Sequence, residues 1–117
     1  MSRQIALALV RDLFFRSKID AAAAAVGAEV GYASTLDAVA SRCAELKPST
    51  VFTDLADDAF PALETLKQIR AAAPAARVIG FASHVDLKTL QAARDAGYEL
   101  TLSRSEFTAR LPDLLRP

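Results

Sequence analysis

The chain has 117 residues, 14 Lys+Arg against 14 Asp+Glu, one His, one Cys, no Trp and 52% hydrophobic residues. One compact domain over residues 1–117 is expected at this length, and the hydrophobic content excludes disorder as the main state. A net charge of zero with no basic block excludes the usual footprint of nucleic-acid binding, while a single Cys and a single His exclude a disulfide framework and a Cys/His zinc site. No apolar run reaches the roughly 18 to 20 residues of a membrane span. The start Met1-Ser2-Arg3-Gln4 leads into a strand-like run and does not read as a signal peptide, so an unprocessed protein of the reducing cytoplasm, with no nucleic-acid or membrane partner, is expected.

The predicted elements alternate. Ile5 to Val10 is a first strand. Phe15, Ile19, Ala22, Ala23 and Val26 form a helical stripe ended by Gly27. Glu29 to Ala33 is a second strand, after which Thr35 caps a helix with Leu36, Val39, Ala40, Cys43 and Leu46 inward, stopped by Pro48. Val51 to Thr53 is a third strand that runs into Asp54 and an acidic loop. Pro61 suits the first position of a helix with Leu63, Leu66, Ile69 and Ala73 inward. Arg77 to Ala82 is a fourth strand, and Asp86 caps a helix with Leu87, Leu90 and Ala93 inward, closed by Gly97. Glu99 to Leu102 is a fifth strand. Ser105 opens a last helix that Pro112 is expected to kink or interrupt, with Phe107, Leu111, Leu114 and Leu115 packing it on the sheet.

Five strands separated by helices imply an α/β domain, a doubly wound parallel sheet covered on both faces. Strands one, three and four are continuously apolar and belong inside; strands two and five alternate and belong at the edges. The order is therefore 2-1-3-4-5, flavodoxin-like. In such sheets ligands meet the carboxyl ends of the strands, where Asp12 follows strand one and Asp54 ends strand three. Neighbouring strands lie about 4.8 Å apart, so the two carboxylates converge, which calls for a Mg²⁺ ion or an internal ion pair; solvated loop positions or helix caps are the plainer alternative.

The stretch Val51-Phe-Thr-Asp54-Leu-Ala-Asp-Asp-Ala-Phe-Pro-Ala-Leu63-Glu64-Thr-Leu66-Lys-Gln-Ile69-Arg70 resembles the receiver domains of two-component response regulators (CheY-like): an apolar strand, an acceptor Asp, a loop, then a helix of the form L-E-x-L-x-x-I-R. Leu90-Gln-Ala-Ala-Arg-Asp-Ala-Gly97 resembles the end of the fourth receiver helix. The resemblance spans nearly the whole chain. It implies that Asp54 is the phospho-acceptor, that Asp12 and Asp54 are Mg²⁺ ligands with the Ala56 carbonyl as a third, and that the partner is a histidine kinase or another signalling protein.

The chain departs from the receiver pattern at four places. Arg11 replaces the first of two acids after strand one. Ala82 stands where a Ser or Thr hydroxyl contacts the phosphoryl group, with Ser83 beside it. Arg104, followed by Ser105, replaces the Lys-Pro after strand five, and a guanidinium is not equivalent to an ammonium at a phosphoryl site. Thr101 occupies the position of the switching aromatic. Ser83 and Arg104 remain phosphoryl-contact candidates. Arg11 and Arg104 are also ion-pair candidates, supplying permanently to Asp54 or Asp12 the charge that Mg²⁺ and Lys supply elsewhere. The alternative places both arginines in solvent.

Of the remaining residues, His84 reads as a loop histidine rather than a base, and Cys43 as a small core hydrophobe. Asp57 and Asp58 extend an acidic rim, and Phe14 either covers the site or stays exposed. The function expected is a stand-alone, atypical receiver-like signalling domain, a pseudo-receiver that is not an enzyme, acting through protein contacts with no cofactor or with Mg²⁺. Its expected contact surface, including a homodimer, is the face of helix four, strand five and helix five, with Tyr98 and Arg104 as contributors. The alternatives are a phosphorylatable receiver using Asp54 and Mg²⁺, and a small flavodoxin-like enzyme or cofactor-binding protein. Against the latter, Arg11-Asp12-Leu13-Phe14-Phe15 is bulky where a phosphate-binding loop needs small residues, and no G-x-G-x-x-G, Walker or G-x-S-x-G motif occurs.

Overall fold

A computed structural model of the chain describes residues 3–116; Met1 and Ser2, part of the start read above, lie outside the described residues. Five strands, β1 (Ile5–Leu9), β2 (Glu29–Tyr32), β3 (Thr50–Asp54), β4 (Arg77–Ala82) and β5 (Leu100–Ser103), form one parallel sheet in the order β2-β1-β3-β4-β5. The helices are α1 (Leu13–Val26), α2 (Val39–Leu46, entered through a 3₁₀ turn at Leu36–Ala38), α3 (Ala62–Ala72), α4 (Leu87–Ala96) and α5 (Arg104–Leu114). Central β1, β3 and β4 are almost wholly buried while β2 and β5 are only partly covered, which is the physical origin of the apolar runs that set the order. Among the described residues no helix is long and apolar enough to cross a membrane.

Alternate residues of each strand feed two cores. On one side Leu7, Val51 and Val78 meet Val39 and Cys43 of α2, Ile69 of α3 and Ala93 of α4. On the other, Ala8, Phe52, Ile79 and Phe81 meet Phe15 and Ile19 of α1 and Phe107 and Leu111 of α5. The second core centres on Phe107, stacked on Phe81 at 4.3 Å between ring centroids and edge-on to Phe52 at 5.0 Å. The stacking fixes α5, and with it Arg104, against the C-terminal ends of the strands.

Several local expectations need correction. Ser103, not Ser105, caps α5: its side chain accepts from the Glu106 amide while Glu106 accepts from the Ser103 amide, a reciprocal capping box. The Ser-x-x-Glu pattern carrying this signal starts two residues before Ser105. Pro112 lies inside α5 and does not end it; in the last turn, one missing N–H costs a single hydrogen bond, and Leu111, Leu114 and Leu115 remain buried. Pro61 precedes α3 with extended ψ instead of occupying its first position, and Thr35 caps the 3₁₀ turn before α2. Leu63, Leu87 and Ala40, predicted inward, are exposed, because Leu63 and Leu87 sit in first turns at the carboxyl end of the sheet and Ala40 lies one step off its stripe. Gly27 and Gly97 close α1 and α4 at positive φ, as their positions predict.

Arg70 of the L-E-x-L-x-x-I-R stretch works at the opposite end of the sheet from Asp54. It donates to the Ala76 carbonyl at 2.9 Å and pairs with Glu99, which in turn accepts from the Val78 amide at 2.8 Å. These contacts hold Glu99 below the usual carboxylate range despite its partial burial. Phe107→Ala is expected to cost about 3–5 kcal/mol in urea unfolding; a loss under about 1 kcal/mol would show that the aromatic stack does not anchor α5.

Candidate functional site

Parallel register sets the site. Asp54 pairs with Phe81 across β3 and β4, and Ala82 with Ser103 across β4 and β5, so the last residues of three strands share one rim. Asp54 is 7% exposed at the tip of β3, and its Oδ1 accepts from the Ala56 amide at 3.1 Å. Arg104, the first residue of α5, places its Nη2 3.6 Å from that same oxygen. The guanidinium is held from its apolar sides: its centre lies 4.9 Å from the Phe15 ring and 5.5 Å from the Phe81 ring. Sequence reasoning treated Phe15 and Phe81 only as core residues. Phe81 lies one strand from Arg104, but Phe15 lies on α1, and no spacing in the sequence brings it there.

Burial pushes the Asp54 carboxyl above the ordinary carboxylate range; Arg104 and the Ala56 amide oppose this, and the nearby charges of Asp57 and Asp12 add to it. Desolvation therefore outweighs the ion pair, as expected when the cation is two-fifths exposed and separated by more than a hydrogen-bond length.

The other predicted residues are placed as follows. Arg11 does not face Asp54 or Asp12. It makes a bidentate pair with Asp57, Nε to Oδ2 and Nη2 to Oδ1 at 2.7 Å each, and Asp57 also accepts from the Ala59 amide. The Arg11 hydrogen bonds hold Asp57 below the usual carboxylate range. Arg11 points outward from the end of β1, where the acidic loop after β3 presents Asp57 within reach of its long side chain. Asp12 is the N-cap of α1, its Oδ1 accepting from the Phe14 amide at 2.9 Å and the Phe15 amide at 3.2 Å. Ser83 lies in the exposed turn after β4 and accepts from the Val85 amide. Asp58 is exposed and Cys43 buried, while Phe14 is 77% exposed.

Thr101 accepts from Arg94 of α4 at 2.9 Å, which ties α4 to β5 from outside. Tyr98 is buried at 4% exposure with its hydroxyl donating to the Ala62 carbonyl, so it cannot contribute to the outer face as expected; its phenol is pushed up to about 12, mainly by burial. It lies against Gly80, where a Cβ would come 3.1 Å from the Tyr98 ring and 2.6 Å from Leu55. Glycine opens the space the ring fills.

Whether these residues suit Mg²⁺ follows from the donors. Among the described residues no three His, Cys, Asp or Glu side chains converge on one point. One oxygen of Asp12 serves α1, and Asp54 already faces a guanidinium. Mg²⁺ takes octahedral oxygen donors and usually keeps several waters, so with only the carboxylates of Asp12 and Asp54 at this rim a bound ion would have to draw its remaining donors from backbone oxygen and water.

No protein-family model and no curated protein sequence matches the chain. Solved structures do. A response regulator from Hahella chejuensis superposes with TM-score 0.83 at 11% identity, covering 96% of this chain and 92% of that one. The chemotaxis response regulator CheY4 of Vibrio cholerae gives 0.80 at 13%, covering 96% and 95%. The receiver domain of a sensor histidine kinase from Pseudomonas aeruginosa, solved with magnesium in its active-site cleft, gives 0.77 at 13%, covering 97% and 98%. The chain therefore has the fold of the CheY-like response-regulator receiver domains.

Because the native state raises the Asp54 pKa, ionised Asp54 destabilises the fold at neutral pH, and this cost disappears as pH falls through the native pKa. Asp54→Asn is expected to raise the melting temperature by a few degrees at pH 7, with the gain shrinking on acidification. An equal loss at every pH would contradict the assigned electrostatics. Asp57 has the opposite sign: its contribution is present above the ordinary carboxylate range and lost as pH falls through its lowered native pKa, and it is small because Arg11 is exposed.

Proposed function

We propose that the chain is an atypical receiver domain of two-component signalling, a pseudo-receiver that acts in the cytoplasm through protein contacts and does not run on phosphorylation of Asp54. The observation that carries this reading is Arg104, wedged over Phe15 and Phe81 and facing Asp54. Phosphoryl transfer to an Asp needs an exposed carboxylate, a metal to neutralise the incoming oxygens and donors to receive them. Here the carboxylate is buried and faces a fixed cation, the metal donor set is thin, and Ala82 stands where the resemblance calls for a hydroxyl. No enzymatic activity of its own is assigned to the chain.

Thr101 at the position the resemblance gives to a switching aromatic supports the same reading, since it is tied to Arg94 and the nearby Tyr98 is packed inward. The outer face of α4 presents a shallow groove of about 410 Å³ lined by Leu87, Lys88, Leu90, Gln91 and Arg94, with Leu87 69% exposed. We assign this face, with β5 and α5, to partner binding; a histidine kinase, another signalling protein or a second copy of the chain is the partner class.

Incubation with acetyl phosphate and Mg²⁺ is expected to leave the intact mass unchanged. A phosphate-sized gain that Asp54→Ala abolishes would establish the phosphorylatable reading instead. If the α4 face joins two copies, sedimentation equilibrium gives a dimer that Leu87→Glu splits. A wild-type monomer, or a dimer indifferent to Leu87→Glu, would remove the homodimer from the proposal.

A further inference from the structure

Beside the Asp54 rim, the first turns of α1 and α5 and the turn after β4 border an open groove of about 800 Å³, whose lining includes Asp12, Phe14, Lys18, His84, Arg104 and Thr108. Asp54 does not line it. From this groove we propose a site for a small organic anion with a flat aromatic body, bound reversibly and without transfer of any group.

The anionic end is called for by the donors. Arg104 carries five N–H groups in a planar fork, and among the described residues none makes a hydrogen bond; its only charged contact is the 3.6 Å approach to Asp54. A guanidinium whose centre lies within 5.5 Å of two rings, with one edge toward Asp54 and 41% of its side chain open, keeps N–H groups available for a carboxylate or phosphate. Lys18 adds a second cation with no carboxylate within ion-pair distance among the described residues. The opposing charge, Asp12, has an oxygen engaged by the amides of α1. The groove thus presents more usable positive than negative charge, although the whole chain is neutral.

The flat body follows from Phe14. Its ring is 77% exposed, against the general tendency of phenylalanine to be buried, and stands on the wall of the groove with the Lys18 ammonium 6.0 Å from its centroid. An aromatic ligand stacked there covers the ring while its charged end reaches Lys18 and Arg104. A volume of this order is that of drug-sized ligand sites, and a nucleoside monophosphate or a bicyclic aromatic carboxylate fits within it. The groove shares Asp12, Ser83 and Arg104 with the phosphoryl-site candidates, so the proposal rests on the pseudo-receiver reading, in which no phosphoryl group occupies Arg104.

The test is an amide NMR titration of the full chain with adenosine monophosphate and, separately, 2-naphthoate, with inorganic phosphate and adenosine as controls. Saturable shifts confined to Phe14, Phe15, Lys18, Arg104, Ser105 and Thr108 are expected for at least one of the two anions. Affinity should fall roughly tenfold in Lys18→Ala, the loss expected for one charge-assisted contact, and also in Phe14→Ala. Both positions are exposed, so the variants should fold, and a wild-type-like spectrum confirms it. No saturable shift with either anion, equal binding of inorganic phosphate alone, or affinity indifferent to both substitutions would overturn the site while leaving the pseudo-receiver reading intact.

Discussion

Arg104 begins α5 with its guanidinium over the rings of Phe15 and Phe81 and its edge toward the buried carboxylate of Asp54, and each of these contacts depends on the others. The rings are in place because Phe107 stacks on Phe81 and draws α5 against the sheet. Arg104 is in place because the capping box of Ser103 and Glu106 starts α5 where β5 ends. The carboxylate tolerates burial because the Ala56 amide and Arg104 oppose the desolvation cost, though they do not cancel it. A core feature, a helix cap and an electrostatic pair thus converge on one residue. The cation–π contacts contribute roughly 0.5–2 kcal/mol and the partly exposed ion pair up to about 1 kcal/mol, so the two rings hold Arg104 at least as firmly as Asp54 does.

The same residue links fold to function. In a site that works by taking up a charged group, positive charge must be available when the group arrives and free to respond to it. Here it is built into the chain and braced by aromatic rings. Arg11, the other substituted cation, is spent on Asp57 across the rim, and Asp12 on the first turn of α1. What remains variable is the surface: the exposed side chains of Leu13, Phe14, Leu63, Val85 and Leu87 all lie in segments that follow the carboxyl ends of strands, at the mouth and not on the opposite end of the sheet. Apolar exposure concentrated in this way suits contact with other molecules.

Much of the architecture was legible in the sequence because parallel sheets leave a strong mark. Strands buried on both faces are mostly apolar, so Ile5 to Val10, Val51–Phe52 and Val78 to Phe81 named the centre, and the alternation at Glu29 and Glu99 named the edges. Caps with short side chains were equally plain at Asp86 and Gly27, since they act on their own backbone. Long side chains were less legible. The sequence placed Arg11 and Arg104 at one rim but could not say that Arg11 turns to Asp57 while Arg104 turns to Asp54, because both reach several carboxylates and the choice is made by packing. Tyr98 was expected on the contact face of helix four, strand five and helix five, yet Gly80 on β4 opens a slot for its ring that only tertiary structure reveals.

The central claim is that Arg104 acts on Asp54 as a fixed counter-charge. The direct measurement is a pH titration of the Asp54 carboxyl carbon by NMR in the wild type and in Arg104→Gln. The account predicts a wild-type pKa above the ordinary carboxylate range and a still higher one in Arg104→Gln, where burial goes unopposed by the guanidinium. An Asp54 pKa that does not move when Arg104 is replaced would mean that the two groups are uncoupled, and would contradict the account.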